Sequence, residues 1–536
     1  MKVIQSERAR KPTRQRSHAL SLALAGVFVA AMATGLPHIS QAAPSNDLFT
    51  IGAGTEPDTL DVQGQGSTAV MNYMEFVVEP LVRLEPDGSL SPALAESWET
   101  SEDGLQVTFH LRKNVKFQDG SPFNAEAVKF NFDRVLDKKI RVPLRGYFET
   151  VDKVKALDDH TVRITLTAPT PAFVGSLVTG PAAMMSPASI NKHGNSYEKI
   201  VYPVGTGPFK FREYVGGDHL TFDRWDSYWG KKPYYKTIKI LIMPEPASRE
   251  AAVLSGQADM IMQPPSVDID KLKKNPKIKV IIGPTTRVVY MAMNNQSTAF
   301  SDVRVRQALN YAVDKQSIIK NILFGAATPT HSPLSNLMAS YCDTGFYKYD
   351  PEKARKLLSE AGATDLTVKL IAPNGHYIQD RQATQAIAAY FQQVGVKSTV
   401  RTTDWATYLA WVAEPSAKQG AQINMFGYAG STPAAATPGF ALFAAGSSAF
   451  PPNGYNTAFY QNEKFDKLWK EAGKEPDKQK RDDLYCQAQK IMWADAPWVF
   501  LWNQGIPIVT SANITGVETL PNEMYRAYDA RPLNSN

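Results

Sequence analysis

Alternating apolar and polar positions mark the strands of this 536-residue chain. The runs FTIGAG (49–54), QVTFHL (106–111), TVRITL (161–166), HLTFDR (219–224) and TIKILIM (237–243) are β-branched or alternate with period two. That is the pattern of half-buried strands. A helical period takes over elsewhere. After Asn124, a residue type that caps helices, Val128, Phe132, Val135 and Leu136 fall on one face. Ser301 or Asp302 opens a helix with Val305, Ala308, Leu309 and Ala312 inward, and Asp350-Pro351 opens another that Gly362 stops. Leu357, Leu358 and Ala361 supply the buried stripe of the latter. A further helix runs from about Asp477 to Trp493 with Leu484, Ala488, Ile491 and Met492 inward, and PWVFLW (497–502) follows as a buried strand. The stretch GSTPAAATPGF (430–440) reads as a loop. Strand, turn and helix crowd into residues 109–135, where Asp119-Gly120 forms the turn and nothing looks catalytic.

The amino terminus changes the charge picture. Six basic residues precede an apolar run, Ala19 to Leu36, and Ser40 and Ala42 suit a cleavage site after Ala42. Residues 1–42 therefore read as a secretory signal peptide. No adjacent arginine pair and no cysteine after the apolar run accompany it, so a soluble periplasmic product is expected. Residues 1–43 carry a net +5 of the formal +6, which leaves about +1 for the rest. Nucleic acid and anionic membrane are not indicated as partners. Roughly 490 residues exceed what one hydrophobic core serves, so two or more lobes are expected. Cys342 and Cys486 lack metal-like spacing, and an oxidising compartment permits a disulfide that spacing alone does not establish.

Enzymatic readings fail on inspection. His110, His160, His193, His219, His331 and His376 show no metal-ligand spacing, and HExxH, CxxC and GxSxG are absent. GTGPFKF (205–211) lacks a following Lys-Ser/Thr and leads into a strand, whereas a phosphate loop leads into a helix. A periplasmic hydrolase thus has no nucleophile, base or metal set to rest on. No cofactor and no metal are implied.

Longer blocks carry a resemblance. LSPALAESWETSEDGLQVTFHLRKNVKFQDGSPFNAEAVKFNFDRV (90–135), YPVGTGPFKFREY (202–214), RWDSYWGKKP (224–233), LSGQADM (254–260), YMAMNN (290–295), DVRVRQALNYAVDKQSIIKNILFG (302–325), YDPEKARKLLSEAG (349–362) and RDDLYCQAQKIMWADAPWVFLW (481–502) occur in family order. They resemble the periplasmic solute-binding proteins of peptide and nickel ABC transporters, family 5. MFGYAGST to LFAA (425–445) and NTAFYQNEKFDKL (456–468) look closest to its glutathione-binding subgroup. The resemblance implies an α/β fold, the two-lobed periplasmic-binding-protein fold of type II, cluster C, with an additional small domain. Lobe I would comprise 44–78, 201–288 and 506–536, domain II 79–200, and lobe III 289–505. The dense module at 109–135 would then be a folding unit of domain II. The implied partners are a small peptide or peptide-like ligand and an ABC permease with its ATPase subunits, and the implied state is a monomer. Carriage of a nickel chelate or an opine-like solute stays open.

The same resemblance implies a ligand cavity between lobes I and III. Trp405 and Tyr428 match aromatic residues of the side-chain pocket, and Arg381 aligns with a region that holds the ligand carboxylate. A guanidinium fork suits a carboxylate because two charge-assisted bonds form in parallel. Arg287 lies at the lobe crossing, as either a cleft residue or a hinge ion pair. Tyr455 and Asn456 would border the cavity, and Met71 would line it or belong to the core. One departure is notable. Peptide-binding members carry an aspartate for the ligand amine in the stretch that here runs from Gly427 to Gly446 without any acid, with Ser431 and Ala436 instead. Either another acid serves, such as one near Glu56 or Asp58, or the ligand presents no free α-amine.

Overall fold

Two long antiparallel strands, Ile278–Met293 and Trp498–Ser511, run through the centre of an eleven-stranded sheet. The computed structural model describes residues 47–57, 59–64, 67–193, 202–430, 440–444, 446–451 and 453–535. The expected leader, Asp58, Ser431 and Ala436 lie outside the described residues. On one side of the central pair lie Gln422–Tyr428, Thr367–Pro373 and Lys397–Thr403. On the other lie Met260–Met262, Leu48–Ala53, Thr237–Ile242, His219–Arg224 and Phe209–Val215.

Alternation along these strands fills a separate core on each side of each half. Val289, Met291 and Met293 enter one cluster with Val499 and Leu501, while Tyr290, Ala292, Trp498 and Phe500 enter the opposite one. Successive side chains of a strand point to opposite faces, so one buried strand serves two cores. In the other half Met260, Met262 and Ile508 enter one cluster with Phe49, Ile51 and Ala53, while Ile261 and Val509 enter another. The central pair is regular from Ile278 to Pro284 and again from Tyr290, with register shifts between Pro284 and Val288 and between Val289 and Tyr290. The sequence foresaw only the Trp498 end of the second strand. The rest eluded it because Asn503, Gln504 and Gly505 interrupt the apolar run where the strand crosses between the halves.

The dense module at 109–135 belongs to a four-stranded antiparallel sheet, ordered Ala95–Thr100, Gln106–Leu111, Thr161–Leu166 and Val151–Asp158. Helix Ala125–Leu136 packs on it, its amino end capped when Asn124 Oδ1 accepts from Ala127 N at 3.0 Å. The module also fastens this domain to the sheet beside it. Gln118 Nε2 donates to the carbonyls of Gly207 at 2.9 Å and Phe209 at 2.7 Å. A Cβ on Gly205 would stand 2.2 Å from the carbonyl oxygen of Val77. The glycines of GTGPFKF therefore serve a close backbone approach.

The other helices follow their caps. Asp302, Asp350 and Asp477 cap Val303–Tyr311, Pro351–Glu360 and Lys478–Asp495, and Gly362 adopts φ +66°. The face of Lys478–Asp495 is rotated by one residue from expectation. Tyr485, Ala488, Gln489, Met492 and Trp493 are its buried set, and Gln489 is bonded to Ser332 and Ser340 rather than to solvent. Cys342 and Cys486 form a disulfide that joins the 330–350 stretch to this helix. Among the described residues, no helix is long and apolar enough to cross a membrane.

Candidate functional site

The bulge in the central pair lies at the mouth of a cavity of about 710 Å³. One wall comes from Thr55, Tyr73 and the 262–266 turn, the other from residues 374–380, and Arg287, Gln504 and Glu523 complete it. The bulge matters because an extra residue re-aims the side chains beside it. Thr285 and Thr286 are bonded to Gln504, Gly430 and Pro521, which fixes the backbone on either side of the turn that presents Arg287. Three non-glycine residues with left-handed backbone line this cavity, Gln263, Gln379 and Glu523, at φ of 47°, 52° and 66°. Such conformations cost about 1–3 kcal/mol each and gather where a site requires them.

Among the described residues, four charged side chains line the cavity, and their hydrogen bonds divide them into two kinds. Arg249 is spent on structure, donating to the carbonyls of Met243, Pro244, Met262 and Gln263. Asp380 is equally committed. It accepts from the backbone N–H groups of Gly375, His376, Tyr377 and Arg381 at 2.8–3.0 Å. Arg287 and Glu523 instead hold each other. Nε and Nη2 of Arg287 donate to the two carboxylate oxygens at 2.5 and 2.7 Å. Burial works against both charges, but each outweighs it for the other, so the Arg287 pKa rises and that of Glu523 falls. Both side chains keep about a fifth of their surface exposed (19% and 23%).

An aromatic wall adjoins the 374–380 side. His376 stacks on Trp405 with ring centroids 3.6 Å apart and planes within 3°. Burial and the nearby Arg287 cation lower its pKa to about 4, so the ring is neutral at pH 7. Behind Trp405 the cluster continues through Tyr408 and Phe426 to Phe443, Tyr428 and Tyr455. Tyr455 is 47% exposed and stacks on Phe443.

Of the candidates read from sequence, Arg287 lines the cavity, while Trp405, Tyr428 and Tyr455 come together in the aromatic cluster behind His376, outside the lining itself. The others are placed elsewhere. Arg381 is exposed on helix Asp380–Gln393 and outside the cavity lining, because its neighbour Asp380 takes the inward position. Asn456 is fully buried and binds the carbonyls of Gly446 and Tyr460, which makes it a loop brace. Met71 packs with Leu84, Val178, Leu520 and Met524 in a separate cluster. Glu56 accepts from Tyr214 and Gly217 at the surface and does not line the cavity. Sequence reading missed His376, Tyr377 and Glu523. Only the left-handed turn at Glu523 has a sequence cue, the Pro521-Asn522 pair before it.

Two α/β halves joined by a pair of shared strands, with a polar cavity where they meet, define a two-lobed binding protein. Residues 89–445 match the family described as bacterial extracellular solute-binding proteins, family 5, and the chain belongs to that family. It is 33% identical over 482 residues to the glutathione-binding protein GsiB of Pectobacterium atrosepticum, covering 90% of this chain and 93% of that one. To the protein of the same name from Escherichia coli K12 it is 31% identical over 517 residues, 96% and 98% of the two chains. Among solved structures it is similar to HbpA2 from Haemophilus parasuis, with a TM-score of 0.79 and 25% identity over 91% of this chain and 100% of that one. The substrate-binding protein CtaP from Listeria monocytogenes shares the fold, with a TM-score of 0.81 at 24% identity, over 91% of this chain and 99% of that one.

Proposed function

We propose that this chain is a periplasmic receptor of an ABC importer. It binds a small peptide or peptide-like solute, glutathione among them, between its lobes and hands it to the permease and its ATPase subunits. The observation that carries the reading is the cavity of about 710 Å³ at the junction of the two halves, large enough for a tripeptide-sized solute. The names of the GsiB relatives support glutathione as the first probe. In this reading the lobes are 44–78, 201–288 and 506–536 against 289–505, with 79–200 as the small domain. Closure occurs at the bulge between Pro284 and Val288 and opposite it at Asn503 to Gly505. Few residues then absorb the change while the packed sheets move as units. Export follows cleavage after Ala42, and the receptor works as a monomer.

Native mass spectrometry of protein purified from a periplasm tests this. A bound peptide or thiol tripeptide is expected; a metal chelate or an opine would overturn the peptide assignment. The aromatic wall gives a second expected result. Trp405→Ala removes the ring that holds His376 in place, an aromatic contact worth about 0.5–1.5 kcal/mol. Affinity for glutathione in titration calorimetry should fall by about two- to tenfold with no change in stoichiometry. Unchanged affinity would take the wall out of the site.

A further inference from the structure

We infer that the Arg287–Glu523 pair is the head-group site of the cleft, binding a free α-amino-acid head whose carboxylate lies on Arg287 and whose ammonium lies on Glu523. This rests on the proposed peptide-binding function and adds the missing amine partner to it. The acid-free wall from Gly427 to Gly446 leaves the amine without a carboxylate on that side. Among the described residues that line the cavity there are two acids, and Asp380 is saturated by four backbone donors. Glu523 remains. Each of its oxygens accepts one bond from Arg287, which leaves lone pairs on both, and Arg287 Nη1 has no hydrogen-bond partner among the described residues.

A third group points the same way. Asn72 is 1% exposed and lines the same cavity. Its Oδ1 accepts from Tyr525 N at 2.9 Å, two residues from Glu523, while its Nδ2 has no partner among the described residues. A buried donor left unpaired costs about 1–3 kcal/mol, and this one belongs to the residue that braces the Glu523 turn in the cavity lining. The turn itself holds Glu523 at φ +66°, a conformation that a glutamate adopts at a cost and that aims it into the cavity.

Geometry also selects the ligand class. Arg287 and Glu523 stand side by side with two parallel bonds, so they present opposite charges a few ångströms apart. A head with ammonium and carboxylate on one carbon meets both at once. The termini of an extended α-linked tripeptide stand up to about 10 Å apart, so in that form only one of them reaches the pair. A γ-linked peptide, which keeps an intact amino-acid head, is the better fit.

Titration calorimetry at pH 7 tests the inference with three probes: glutathione, glutathione acetylated on its amine, and the α-linked tripeptide of the same composition. On the wild-type protein, acetylation should weaken binding by about thirtyfold or more, as for loss of one partner of a buried charge pair. The α-linked isomer should be at least tenfold weaker. In Glu523→Gln the acetylation penalty should shrink to under threefold, with folding of the variant checked by its melting curve. Equal binding of the three probes by the wild type, or an undiminished penalty in Glu523→Gln, overturns the inference and leaves the peptide-binding function standing. The probe comparison on the wild type decides the matter even if the variant does not fold. Failure of all three probes to bind overturns the proposed function and this inference with it.

Discussion

Arg134→Met should cost about 3–5 kcal/mol of stability, the range for a buried ion pair that loses one partner. Arg134 extends from the small domain's helix to Asp61, with Nη2 2.5 Å from Oδ2, and Nη1 reaches Gln63 Oε1 at 2.7 Å. The two charged side chains are 1% and 0% exposed, so water cannot take over when the arginine is gone. Gln63 and Asn131 continue the network, with Asn131 donating to the carbonyl of Met185 at 2.9 Å. The same helix provides its own control. Lys129 pairs with Asp133 one turn on, but the two are 39% and 53% exposed. Lys129→Met should cost under about 0.5 kcal/mol, because an exposed pair of this spacing is worth no more. Denaturant midpoints for the two variants check both values. A cost below 1 kcal/mol for Arg134→Met would mean that the domain contact does not depend on this network.

Loss of the Cys342–Cys486 disulfide should lower stability by about 2–5 kcal/mol. The bond closes a loop between residues 144 positions apart, and the chain-entropy estimate for so long a loop is about 5 kcal/mol. What it fastens is the stretch from Thr330 to Tyr347, which has no strand or helix of its own. Gln489 helps from the same helix. It accepts from Ser332 Oγ at 2.7 Å and Cys342 N at 3.2 Å, and donates to Ser340 O at 2.8 Å. The expected signature of Cys342→Ser with Cys486→Ser is a lower denaturant midpoint that added reductant does not change further. The wild-type protein should fall to the same midpoint when reduced. Coinciding midpoints for oxidised and reduced wild type would contradict the estimate.

Much of the architecture was legible because its signals are local. Asn124, Asp350 and Asp477 announced their helices, and five alternating runs became strands within a residue or two of expectation. The path of the central strands was harder to read. A strand that passes from one half to the other changes its surroundings midway, so Ile278–Met293 shows no single apolar pattern. The site was less legible still. Arg287 was a candidate only through its position before a recognisable block, and Arg381 was a candidate although its neighbour Asp380 is the one that lines the cavity. Glu523 had only the Pro521-Asn522 pair before it as a cue, which marks a turn and not a site. It enters the cavity from a turn near the carboxyl terminus, 236 positions from Arg287, and only the folded chain brings the two together.

Closure of the lobes over a solute is the central claim, and a distance between them measures it most directly. Spin labels at Val267→Cys and Gln385→Cys would report it, since both positions are exposed and lie on the two sides of the cleft. The native disulfide stays oxidised and out of the labelling reaction. Glutathione should shorten the measured distance, saturably, with the same midpoint as calorimetric binding. A distance distribution that stays the same while calorimetry shows the protein saturated would contradict the account.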